Sequence, residues 1–234
     1  MLSRLLRAAF RRLHRGEDGL SLTELAIVSA LLLVVIVPAT QFIITTQRNE
    51  RIVSEATRQQ QDARTGMETF SRSLREANYP EGLTYTESSI FGAAAQNDVT
   101  YYADADGDGV TEKVRYELDA ANAEVKRTVT EPNCAEAPCS YTNGATSSTN
   151  TVVSYVRNAN LAACNSSGSK PLFTYYQLDP GTGGVTEIPT PAPGIDALVD
   201  INYVKLQVVA DVTPGKSPTC QTLETAVSLR NWRG

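Results

Sequence analysis

Residues Leu25 to Val37 read LAIVSALLLVVIV, an almost wholly apolar run. A helix drawn through it extends from Leu20 to about Ile44, and at about 1.5 Å per residue it would cross a hydrocarbon core roughly 30 Å thick. Arg4, Arg7, Arg11, Arg12 and Arg15 stand ahead of it. By the positive-inside rule they hold the N-terminal end in the cytoplasm, so everything after the helix is expected outside. The 234 residues then leave room for one ordinary domain beyond the membrane segment.

Glu24 does not belong in a simple anchor. A carboxylate at the front of an apolar run costs on the order of 2 to 3 kcal/mol even on lenient insertion scales, and intramembrane acids usually have a partner. The surrounding string, RGEDGLSLTELAIVSALLL, resembles the class III signal of type IV prepilins and pseudopilins. In that family a basic leader ends in glycine, a prepilin peptidase cuts after it, and a glutamate stands fifth in the mature chain. The resemblance implies a leader over 1–19 ending in Gly19, a mature N-terminus at Leu20 with a methylated amine, and Glu24 as the assembly residue. The new amine of one subunit would then pair with Glu24 of a neighbour, and because removing either charge strands the other, the pair would set register. Two positions depart from the usual pattern: Leu20 replaces phenylalanine, and Pro38 falls three residues early, which leaves the place of any helix break open. Two other processing schemes fit the same residues. Val37-Pro38-Ala39 offers an ordinary signal peptidase a site after Ala39, and an uncleaved signal anchor needs no site at all.

Charge and histidine content narrow the function. The whole chain has a formal charge of −5, and loss of residues 1–19, with five Arg and two acids, leaves −8. Such a product is poorly suited to capturing nucleic-acid phosphates, which is done by Lys and Arg displacing condensed counterions. His14, the sole histidine, lies in the leader, so a mature chain would lack the commonest general base and metal-binding nitrogen. No enzymatic activity is therefore expected.

Beyond the apolar run the helical pattern becomes amphipathic. Ile52, Ala56, Gln59, Ala63, Met67, Phe70, Leu74 and Ala77 recur at three- and four-residue spacing with arginines mostly between them, which predicts one packed stripe. Asn78-Tyr79-Pro80 is expected to stop the helix. Strands are predicted at Val99 to Ala103, Val110 to Leu118, Glu124 to Thr130, Leu172 to Leu178, Val199 to Val212 and Thr222 to Leu229. Between Glu131 and Ser169 the composition shifts to Pro, Asn, Ser, Thr and Gly, predicting a long surface loop with one further strand at Val152 to Val156. The fold class is α+β: a membrane-spanning helix over 20–44, its amphipathic continuation over 45–79, and an extracytoplasmic β-rich domain over 80–234 with an antiparallel sheet on which that continuation packs. The strings SRSLREANYP and TLETAVSLRN resemble the helix end and last strand of PilW-like and GspJ-like minor pilins.

Two groups of residues invite chemistry. In DADGDGVTEKVRY, Asp104, Asp106 and Asp108 alternate before Gly109, the way calcium loops gather hard oxygen ligands, and Glu112 could add a fourth. The full twelve-residue calcium loop is not met, because Arg115 stands at its last ligand position. Asp-Gly is also a plain hairpin-turn signal. Cys134, Cys139, Cys164 and Cys220 suit two disulfides in an exported domain, against a four-thiolate zinc site. Three connectivities are open, of which local pairing of Cys134 with Cys139 leaves Cys164 with Cys220.

The resemblance implies a structural role: a minor pilin or pseudopilin of a type IV pilus-like or type II secretion-like fibre, with other pilin subunits, the prepilin peptidase and the membrane as partners. The alternative is a secreted or membrane-anchored binding module built around a calcium-binding loop.

Overall fold

A computed structural model of the chain describes residues 21–83, 89–135, 138–142, 144–164, 166–179, 181–192, 194–211 and 220–230. Two compact units divide it, Met1–Arg51 and Ile52–Gly234. In the first, every described side chain is exposed. From Leu22 onward its residues belong to α1 (Leu22–Arg75), a helix that is long and apolar enough near its start to cross a membrane. Pro38 lies inside this helix without ending it. The Thr40 hydroxyl donates to the carbonyls of Ile36 and Val37 at 3.0 and 2.9 Å, the back-bonding that Ser and Thr make inside helices.

The second unit holds two antiparallel sheets. A meander places β1 (Phe91–Ala94), β2 (Asp98–Ala103), β3 (Glu112–Asp119), β4 (Glu124–Thr130) and β5 (Ser147–Ser154) side by side in chain order. The second sheet contains β6 (Phe173–Leu178), β7 (Val185–Ile188), β8 (Tyr203–Asp211) and β9 (Cys220–Ser228), ordered β7-β6-β8-β9. A short helix, α2 (Ile195–Val199), precedes β8.

The expected stripe on α1 packs as its spacing requires. Ile52, Ala56 and Gln59 are half-buried, while Ala63, Met67, Phe70, Leu74 and Ala77 are buried. Phe70 is the hub, with its ring centroid 5.1 Å from Tyr116, 6.2 Å from Tyr101 and 5.5 Å from Phe173. One helical side chain thus touches residues of both sheets. Gly66 lets α1 approach β5, because a Cβ there would lie 2.7 Å from Val153 Cγ2 and 3.0 Å from the Val152 carbonyl oxygen.

Several boundaries differ from the expectation. The helix ends at Arg75 rather than at Asn78, because the chain turns to join the meander: Ala77 bridges Ala103, and the Asn78 amide donates to the Tyr102 carbonyl at 2.8 Å. The loop expected over 131–169 contains all of β5, which starts five residues before the predicted Val152, and a 3-10 turn at Leu161–Cys164. Residues Ser147 to Thr151 are exposed edge positions, so their polar composition is compatible with a strand held by its backbone ladder to β4. Val199 belongs to α2 rather than to β8, and Val212 lies outside the described residues. Val110 precedes β3.

Candidate functional site

The eight residues after Ala103 turn the chain from β2 into β3, and the turn is built by its own aspartates. Asp104 accepts from the amides of Gly107 (2.7 Å) and Gly109 (3.0 Å). Asp106 accepts from Asp108 (3.1 Å), and Asp108 from Val110 (2.8 Å). Gly107 and Gly109 take φ of 85° and 90°, a region where a side chain is strained. That accounts for the Asp-Gly alternation as a turn.

Glu112 is not explained by the turn. It opens β3, where alternation sends Glu112, Val114 and Tyr116 to the buried face. Its exposure is 0%. Oε2 accepts the Ala105 amide, while Oε1 has no hydrogen-bond partner. Among the described residues no Lys or Arg nitrogen forms an ion pair with Glu112 or with the three aspartates. Burial is the main cause that pushes the Glu112 carboxyl up to about 7; the Ala105 amide opposes the rise, and Glu131, Asp106 and Asp104 add to it. Burial, with Asp106 and Asp108 nearby, also raises Glu131. Asp104, Asp106, Asp108 and Glu112 each bring a carboxylate oxygen to within 4.8 Å of the others. Tertiary structure therefore brings together all four oxygen donors expected from the sequence.

Arg115, at the position of the absent twelfth ligand, is exposed and paired elsewhere. It bonds Asp98 through Nε at 3.0 and 3.1 Å and lies 2.7 Å from Glu117. The residue before Glu112 is anchored on both sides: the Thr111 amide donates to Glu81 (3.2 Å), and the Tyr141 hydroxyl donates to the Thr111 carbonyl (2.7 Å). The same hydroxyl accepts the Glu81 amide at 2.8 Å. Tyr141 follows the small loop closed by the Cys134–Cys139 disulfide.

The cysteines form two disulfides, Cys134–Cys139 and Cys164–Cys220, which removes the four-thiolate zinc alternative. Gly19 and Leu20 lie outside the described residues. Glu24 sits exposed in the first turn of α1, where its amide donates to the Ser21 hydroxyl at 3.2 Å. Ser21-Leu22-Thr23-Glu24 has the spacing of a capping box, and an acid in the first turn also complements the helix dipole. The S-x-x-E spacing by itself carries the signal for that local role.

Sequence reading missed Asn158. Fully buried, it donates through Nδ2 to the Gln207 carbonyl (2.7 Å) and accepts the Val209 amide on Oδ1 (2.8 Å), standing in for a strand partner of β8. A groove of about 640 Å³ between α1 and β9 is lined by Arg64, Arg72 and Arg75, but Glu68, Glu76 and Glu224 share it, so its charge is mixed. Comparison with protein-family models, with curated proteins and with solved structures finds no match.

Proposed function

We propose that the chain is a minor pilin-like or pseudopilin-like subunit, cut after Gly19 by a prepilin peptidase and built through its N-terminal helix into a type IV pilus-like or type II secretion-like fibre. The observation that supports this most is the pair of environments along α1. Its early residues carry large apolar side chains that are exposed, with Val34 68% and Phe42 73% exposed. Its late residues bury one stripe against antiparallel sheets. Such a helix suits a subunit that is held first by lipid and then by helices of neighbouring subunits. Glu24 would meet the Leu20 amine of a neighbour; its present partner, the Ser21 hydroxyl, engages only its backbone amide and leaves the carboxylate available. The role is structural, with no catalytic group invoked.

The acidic turn favours the second reading, an anchored or released extracellular binding module, and the two differ in where the N-terminus is cut. Mass spectrometry of the chain recovered from its native cells separates them. A mature, methylated Leu20 is expected. A first residue of Thr40 would support release by an ordinary signal peptidase, and an intact Met1 leader would support a plain anchor; either overturns the fibre reading. With Leu20 established, Glu24→Ala should leave the chain in the membrane but reduce its recovery in sheared fibres.

A further inference from the structure

We propose that Asp104, Asp106, Asp108 and Glu112 bind one calcium ion, with Glu112 supplying from the buried face of β3 the ligand that the turn itself lacks. The inference is independent of the fibre reading, since it concerns the β2–β3 connection alone.

Two observations meet here. The first is the convergence of four carboxylates within 4.8 Å. Asp106 and Asp108 each commit one oxygen to the turn and keep the other for a ligand, and a carboxylate oxygen that accepts one amide retains a second lone pair. The second is the orphaned Oε1 of a side chain with 0% exposure. A buried ionised carboxylate with an oxygen left unpaired carries a desolvation cost that proteins ordinarily remove by pairing, by metal coordination or by neutralisation. Its neighbours here are further acids, which make an uncompensated charge worse. A divalent cation placed among the four removes the repulsion and gives Oε1 its partner.

The donor set also selects the ion. All four donors are hard oxygens, with no imidazole or thiolate among them, which disfavours zinc and copper. Calcium accepts irregular sets of six to eight oxygens, whereas magnesium demands near-ideal octahedral geometry and keeps several waters. A site made from one tight turn and one strand residue suits calcium better. Arg115 explains why the linear pattern looked incomplete: it faces Asp98 and Glu117 on the exposed side of β3, while Glu112, three residues earlier, faces inward. An occupied site would brace the hairpin beside Thr111, where Glu81 and Tyr141 are already attached.

The test uses the full chain in detergent micelles, stripped of metal with chelator and exchanged into chelator-free buffer. Calorimetric titration with calcium chloride should show one ion per chain with saturation at or below millimolar calcium, and magnesium chloride should bind more weakly. The melting temperature should be higher in calcium than in chelator. Glu112→Gln should weaken calcium by at least about tenfold, because the number of charged ligands sets the affinity of such sites. Should that variant not fold, Asp106→Asn at the exposed turn replaces it, since Asn keeps the turn and should likewise weaken binding. No calcium heat and no melting shift at millimolar calcium would overturn the site. Unchanged affinity in Glu112→Gln would overturn the role of Glu112, and equal or tighter magnesium binding would overturn the choice of ion.

Discussion

Between Leu25 and Val37, α1 is apolar nearly all round and exposed throughout; between Ile52 and Arg75 it is mostly polar, yet Ala63, Phe70 and Leu74 have no exposed surface. Hydrophobicity and burial run in opposite directions along one helix. The late segment satisfies its few apolar residues inside the chain, because they lie on one stripe and the sheets offer a matching face. The early segment has no stripe, so no single face could bury it, and a helix apolar all round needs a surrounding apolar medium.

Truncating a side chain in each segment should give the largest contrast. Phe70→Ala removes the ring that touches Tyr116, Tyr101 and Phe173, and denaturant unfolding of the full chain in micelles should show a loss of about 3–5 kcal/mol. Phe42→Ala, at 73% exposure, should change the same midpoint by less than about 0.5 kcal/mol. Comparable losses from the two would erase the distinction.

A charge tests the early segment in its own terms. Val34→Arg should cost about 2.5–3.5 kcal/mol of membrane insertion, seen as a greater fraction extracted from membranes at alkaline pH. The unfolding midpoint of the sheets should stay where it was. An extracted fraction unchanged from the parent chain would mean that position 34 does not lie deep in the hydrocarbon core.

Gly66→Ala gives the smallest effect and reports how closely the late segment packs. The new methyl would meet Val153 Cγ2 at 2.7 Å and the Val152 carbonyl oxygen at 3.0 Å. Overpacking typically costs about 1–3 kcal/mol, while replacing a helical glycine recovers up to about 1 kcal/mol. A net loss of about 1–2 kcal/mol is expected in thermal or denaturant unfolding. A gain in stability would show that β5 can move away at no cost.

Much of the second unit could be read from periodicity. The stripe from Ala63 to Ala77 and the strands now seen as β2, β3, β4, β6 and β9 each repeat apolar residues at the period of their own element, and β8 did so once Val199 is assigned to α2. The misses share a different cause. β1 and β7 are four residues long, too short to display a period, and the first five residues of β5 are exposed, so burial imposes no alternation on them. Asn158 sits in a loop and carries no periodic signal, although its amide completes the backbone pairing of β8.

The sequence by itself determined which segment is apolar enough for a membrane, which face of the following helix is packed, and that three aspartates precede a glycine in one turn. Those are properties of neighbouring residues and survive in the linear order. Only the tertiary structure decided that the strands divide into two sheets, that Cys164 joins Cys220 across 56 residues, and that Glu112 points inward with an oxygen left unpaired. Whether a polar atom is satisfied depends on what surrounds it in space, and Glu112, opposite Ala103 on β2, lies on the face of β3 that packing buries, a burial that the spacing of the turn does not record.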